Sequence, residues 1–201
     1  HTGDYREHGY LGKNLYSTLE QYATDIDVLI TEGTTLKRGD ECIQESEVSE
    51  RMAHEMSSYK YVVVLASATD IERLATIKNA AAQAHKDLYI TGAMLSRTMS
   101  IFTHREARAS GGLFEFHPQY VREQDECIAK MRNAGFVLIS GTSQLNFVRT
   151  LCEGLPSSDV LLIYSAWDGY YKDPSQVKRN PAFKDFRDAF SNVVDIHTSG
   201  H

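Results

Sequence analysis

The stretch YVVVLASATDIERLATIKNAAAQAHKDLYIT, residues 61–91, decides the fold. Its first seven residues (61–67) are a continuous apolar run of six carrying three valines and closed by Ser67, the pattern of a strand buried on both faces. Residues 69–86 then change period. Ile71, Leu74, Ile77 and Ala81 fall on one helical stripe, and Thr69 followed by Glu72 reads as a capping box. DLYIT (87–91) returns to a strand pattern. Strand, helix and strand in succession predict a parallel pair joined by a crossover helix.

The alternation continues in both directions. Downstream, AMLSRTMSIFTHR (93–105) reads as a helix and GGLFEF (111–116) as a short edge strand. QYVREQDECIAKMRNAG (119–135) reads as a helix closed by Gly135. FVLIS (136–140) is a strand, and Gly141-Thr142-Ser143 turns into a helix that runs through Leu151. DVLLIYS (159–165) is a further buried strand. Asn180-Pro181 caps a helix with Phe183, Phe186 and Phe190 on its buried side, and VVDIH (193–197) is the last strand. Upstream, Val48, Met52, Met56 and Tyr59 share one helical face, which leaves the surrounding acidic residues on the solvated side. DVLIT (27–31) reads as a buried strand ending in the turn Glu32-Gly33-Thr34. The expected class is α/β, a mostly parallel sheet flanked by helices on both faces, with no internal repeat, low-complexity tract or flexible linker.

Composition bounds the function. The chain has 201 residues, 42% hydrophobic and 24% charged, as in ordinary globular domains. A net charge of −6 excludes a surface that attracts nucleic acid everywhere, though not a local basic groove. No run of about 18 apolar residues is present, so no membrane span is expected. No signal peptide opens the chain. Cys42, Cys127 and Cys152 are scattered and form no CxxC pair, which suits a reducing cytoplasm.

In parallel sheets function gathers at the carboxyl ends of the strands. Those ends carry Glu32, Ser67, Ser140-Gly141-Thr142, Ser165-Ala166-Trp167-Asp168 and the segment His197–His201. Polar residues there are equally ordinary turn chemistry. Neither a GxGxxG nor a GxxxxGK[ST] motif is present, and SGTS (140–143), which could hold a phosphate on backbone N–H groups, is more commonly a tight structural turn. His197 and His201 have the spacing of two ligands on one helical turn, but Gly200 and the β-branched run before it argue against a helix. Asp4, in TGDYR, has the context of a cap or turn residue. Glu32 ends a buried strand, where a lone carboxylate is costly unless paired.

In order, HTGDYREHG, DVLITEGTTL, ASATDIERLATIKNAA, DVLLIYSAWDGYY and HTSGH resemble the metallo-β-lactamase-fold nucleases that carry a β-CASP domain, ribonuclease J-like enzymes among them. The resemblance spans nearly the whole chain. It implies a β-CASP domain over 37–192 inserted into a metallo-β-lactamase αββα domain. Residues 1–36 are then a flanking segment of that domain, and 193–201 are the return strand and motif B turn. Both chain ends thus look cut where the insert leaves and re-enters the metal-binding domain.

The resemblance makes Asp4 a metal-bridging ligand of a two-zinc centre. Glu32 matches motif A and His201 matches motif B, and with Asp4 they form the catalytic set. Two metals activate a water and stabilise the leaving oxygen of a phosphodiester. A carboxylate bonded to a histidine sets its tautomer. The family's HxHxDH motif and its later single His ligand are absent from the chain, so the excised segment is expected to be inactive and to bind metal weakly or not at all. Glu32 stands where ribonuclease J-like members often have Asp. Candidate substrate contacts are Ser67, Arg73, Ser140, Thr142, Ser143, Trp167, Thr198 and Ser199. Arg73 matches a recurrent family Arg and reads equally as a surface salt-bridge partner. Trp167, Tyr170 and Tyr171 have the chemistry to stack bases or to cover the loop's own small core, with Lys172, Lys178 and Arg179 adding local positive charge.

The expected function is a cytoplasmic zinc-dependent nuclease acting on RNA or single-stranded DNA, with a homodimer open as an assembly. The rivals are a small-ester or nucleotide metallo-hydrolase on the same scaffold, and a noncatalytic RNA-binding or assembly module.

Overall fold

The computed structural model describes residues 6–33, 43–105 and 111–198. Among them six strands form one sheet: β1 (Tyr61–Ala66), β2 (Leu88–Ile90), β3 (Gln119–Tyr120), β4 (Phe136–Ser140), β5 (Val160–Ser165) and β6 (Val193–Asp195). The spatial order is β3-β2-β4-β1-β5-β6 and every pairing is parallel. The helices are α1 (Leu15–Tyr22), α2 (Glu45–Ser58), α3 (Ile71–Gln83), α4 (Ala93–Arg105), α5 (Cys127–Ala134), α6 (Leu145–Cys152), α7 (Gly169–Lys172), α8 (Pro174–Arg179) and α9 (Ala182–Arg187). The α/β class expected from the alternation is the fold observed. No helix among the described residues is long and apolar enough to cross a membrane.

The central strands β1, β4 and β5 are apolar, up to the terminal serines of β4 and β5, because both of their faces are covered. Val62, Val64, Ile139 and Ile163 pack with Val48, Met52 and Met56 of α2, Leu74 and Ile77 of α3, and Leu95 and Met99 of α4. The alternate residues Val63, Leu65, Leu138 and Leu162 face the other way, onto Met131 of α5, Phe147, Val148 and Leu151 of α6, and Phe186 of α9. After β1 the chain steps out to β2 and the edge strand β3. It then returns to β4, between β2 and β1, and continues through β5 to β6. The helix after β1 therefore lies on one face and the helix after β4 on the other. That reversal opens a crevice at the carboxyl ends of β1, β4 and β5.

Four local readings are corrected. GGLFEF (111–116) is not an edge strand, because Gly111 and Gly112 turn with positive φ. Phe114 and Phe116 still alternate inward, but the Phe116 backbone bonds to the Thr103 hydroxyl of α4 rather than to a strand. The edge strand is instead Gln119–Tyr120, paired with β2 inside the stretch expected to be helical, so α5 begins only at Cys127. Gly135 does close that helix, with φ +92° and its N–H on Met131 O, as expected.

The cap of α3 is Asp70 rather than Thr69, its carboxylate accepting from Arg73 N–H at 3.1 Å. Glu72 cannot complete a capping box because its carboxylate is drawn to Arg6 and Leu11. Residues 27–31 form no strand, and Val28, Leu29 and Ile30 are 73%, 49% and 56% exposed. A strand needs a neighbouring backbone to bond, and no described strand pairs with this run.

Candidate functional site

Glu45 opens α2 and lies seven residues before Met52, on the buried stripe of that helix rather than on its solvated face. It is 1% exposed, as is Arg73 in the first turn of α3. A buried carboxylate and a buried guanidinium are tolerable only as a well-bonded pair. Here the pair is bidentate: Arg73 Nη2 donates to Glu45 Oε1 at 2.8 Å and Nε to Oε2 at 3.2 Å. Thr76 Oγ1 adds a further donor to Oε2. The reading of Arg73 as a surface salt-bridge partner gives way to a buried hub.

The remaining Arg73 protons reach the carboxyl ends of two strands. Nη1 donates to Ser165 Oγ at 2.5 Å, at the end of β5, and to His197 Nδ1 at 3.2 Å, beyond β6. Nη2 also donates to the Thr198 carbonyl at 3.3 Å. All five guanidinium N–H groups thus have partners. Because Nδ1 of His197 accepts, its Nε2 carries the proton in the neutral ring. Burial, reinforced by the Arg73 charge, pushes the His197 imidazole down to about 4.

A second guanidinium, Arg6, backs the first. It meets Glu45 Oε1 at 3.2 Å, Asp70 Oδ1 at 3.0 Å and Glu72 Oε2 at 2.9 Å. Burial opposes the Arg6 charge, but the three carboxylates outweigh it and raise its pKa. Burial likewise pushes Glu45 up, while Arg73, Thr76 and Arg6 pull it down further, so it stays ionised. The Glu45 N–H bonds the His8 carbonyl at 3.0 Å, and Leu11 N–H bonds Glu72 Oε1 at 2.7 Å. Segment 6–12 is therefore laced to the starts of α2 and α3.

Gly9 belongs to this lacing. A Cβ there would stand 2.1 Å from Glu72 Oε2, a carboxylate already anchored by Arg6 and Leu11. Gly9→Ala is expected to lower stability by about 1–3 kcal/mol in urea unfolding. An unchanged midpoint would show that the Glu72 carboxylate is free to swing away.

The other expected site residues are dispersed along the crevice. Ser67, exposed after β1, shares a hydrogen bond with Thr69 Oγ1 at 2.9 Å. Ser140, buried at the end of β4, donates to the Gly141 carbonyl at 3.1 Å. Thr142 and Ser143 lie in a 3-10 turn that leads into α6. The ends of β1 and β4 are adjacent, Leu65 pairing with Ser140. Trp167 sits edge-on to Tyr170 at 5.3 Å, and Tyr170 stacks on Phe183 at 4.4 Å. Tyr171 meets Tyr164 edge-on, under the Arg187 guanidinium. Tyr170 and Tyr171 thus cover the small core of α7–α9. Lys172 pairs with Asp168 at 2.6 Å.

Glu32 is half-buried at the end of the irregular segment, and Thr198 is buried with no hydrogen-bond partner for its hydroxyl. Asp4, Ser199 and His201 lie outside the described residues. Among the described residues, no group of three or more His, Cys, Asp or Glu side chains could hold a metal ion. The Arg73 cluster is unsuited to one, since a guanidinium already fills Nδ1 of His197. Burial pushes the Cys152 thiol up to about 11, which leaves it inert as a nucleophile.

Ser165 and His197 were expected only as strand-end residues without a role, and Glu45 was not among the expected site residues. A signal for Glu45 did exist, a carboxylate in register with the apolar stripe of α2. Compared with known proteins, the chain matches no family model and no curated sequence.

Proposed function

We propose that the chain is the cap-bearing part of a metal-dependent phosphodiesterase that cleaves RNA or single-stranded DNA. The observation that carries this reading is the convergence of two sequence-distant segments on one buried carboxylate. Arg6, two residues after Asp4, bonds Glu45 directly, and Thr198, three residues before His201, is held by the arginine that grips Glu45. Further support comes from Val28, Leu29 and Ile30, whose apolar exposure suits a strand completed by a neighbouring metallo-β-lactamase sheet. In this reading residues 37–192 are the β-CASP cap, and 1–36 and 193–201 lead into the metal-binding domain.

Asp4 would hold the metal through its carboxylate. Glu32 holds His201 in one tautomer, and His201 delivers a proton to the departing 3′ oxygen. A zinc pair, when bound with ligands beyond the described residues, supplies the activated water. Ser67, Thr142 and Ser143, on neighbouring strand ends, donate hydrogen bonds to phosphate oxygens. The protein works in the cytoplasm, and a homodimer is the assembly to look for.

The rival, a small-ester hydrolase, draws its support from the net charge of −6. Substrate choice separates the two. The full-length protein is expected to cleave 5′-labelled single-stranded RNA and to leave bis(p-nitrophenyl) phosphate nearly untouched. Turnover of the small ester without cleavage of the polymer would overturn the reading, and a folded, zinc-loaded protein inert to both would leave a binding module.

A further inference from the structure

Five pieces of chain meet in the Glu45–Arg73 cluster: segment 6–12 through Arg6 on Glu45, the first residue of α2, the first turn of α3, the end of β5, and residues 197–198 beyond β6. The charges of the cluster nearly cancel: Arg6 and Arg73 against Glu45, Asp70 and Glu72 leave one negative charge (2 − 3 = −1). An apolar filling of similar volume stabilises a protein as well as a buried ion cluster does, or better. Ions in that place do what apolar side chains cannot, which is to fix direction. The Arg73 fork is planar, so engaging Glu45 through Nε and Nη2 dictates where its other protons point. They point at Ser165 Oγ, His197 Nδ1 and the Thr198 carbonyl. Arg6 shares Glu45 Oε1 with Arg73 and so ties residues 6–12 to the same carboxylate.

We infer that Arg6, Glu45 and Arg73 form a clamp that holds segments 6–12 and 196–198 in one mutual register. They are positioning residues for the groups just beyond those segments. The consequence for catalysis rests on the nuclease reading, because only there do Asp4 and His201 have to meet. The clamp itself does not need that reading.

Arg73→Lys tests it in the full-length protein. Lysine keeps the charge but replaces a five-donor fork with a point donor, which cannot hold Glu45, Ser165, His197 and Thr198 together. Amide hydrogen exchange is the readout that does not depend on activity. Amides in both segments, 6–12 and 196–198, are expected to exchange at least about tenfold faster, while those of β1 at 62–65 keep their protection. Glu45→Gln, which keeps shape and removes charge, is expected to give the same pattern. If only one segment loosens, if neither does, or if β1 loosens equally, the clamp is refuted.

Cleavage of single-stranded RNA provides the second readout. In Arg73→Lys, kcat is expected to fall about 10- to 100-fold, as when a supporting partner of a catalytic group is lost, with KM unchanged. A wild-type protein that cleaves no RNA sinks the nuclease reading alone, and the exchange pattern still decides the clamp.

Discussion

Glu45→Ala is expected to destabilise the protein by about 3–5 kcal/mol, the range for removing one partner of a buried ion pair. The loss does not come mainly from the missing attraction. It comes from what stays behind: the Arg73 guanidinium, 1% exposed, with two of its five protons unpaired, and Arg6 with one carboxylate fewer. Glu47, two residues along the same helix, is the control. It pairs with Arg51 on the surface, the two side chains 46% and 56% exposed, and Glu47→Ala is expected to cost less than about 0.5 kcal/mol. Urea unfolding at neutral pH, with the slope unchanged between variants, measures both. Equal costs for the two substitutions would mean that Glu45 is not the keystone of the cluster.

The second large effect is acid lability. His197 is half-buried beside Arg73 and its imidazole is pushed from 6.5 down to about 4. Its folded pKa lies below its unfolded one, so between these values the unfolded chain binds a proton that the folded chain refuses. Stability is therefore fully present above pH 6.5 and is lost as the pH falls toward 4, by up to about 3 kcal/mol. The groups that face the ring are Arg73 and Arg6, which oppose protonation, and Asp70 and Glu45, which favour it. Glu45 acts in the same direction at lower pH. Its carboxyl is held below the ordinary 4.5, so its contribution is present above that value and disappears as the pH falls through the folded one.

Urea midpoints between pH 7.5 and 4.5 are expected to fall steadily below pH 6.5. His197→Asn, whose side-chain oxygen can accept from Arg73 where Nδ1 does, is expected to flatten that slope without lowering stability at pH 5. A slope the variant leaves intact would assign the acid lability to other groups.

The fold was legible where local pattern and tertiary burial agree. Residues 61–66, 136–139 and 160–164 are apolar without interruption because they sit at the centre of a parallel sheet, covered on both faces. The pattern misled where burial and pairing part company. Phe114 and Phe116 alternate as in a strand and are buried as in a strand, yet the Phe116 backbone bonds to a threonine of α4. Gln119–Tyr120 pairs for only two residues, too short for any period to register against the helical pattern that follows. Val28, Leu29 and Ile30 have strand composition but no described strand to join.

The site was legible by its ends and opaque at its centre. Arg73 could be singled out but not seen to be buried, because an arginine in a first helical turn is ordinarily solvated. Glu45 lay inside an acidic run in which Glu47 and Glu50 do face water. Only its register with Val48, Met52 and Met56 distinguished it, and nothing local shows that its partners come from residues 6, 73 and 76.

The central claim is that the segments beside Asp4 and His201 are held together to serve one metal-dependent hydrolytic centre. The most direct measurement is cleavage of 5′-labelled single-stranded RNA by the full-length protein, with and without a chelator, beside its Asp4→Ala variant. The account predicts cleavage that the chelator abolishes, that zinc restores, and that Asp4→Ala lacks while remaining folded. Cleavage that survives both the chelator and the substitution would contradict it.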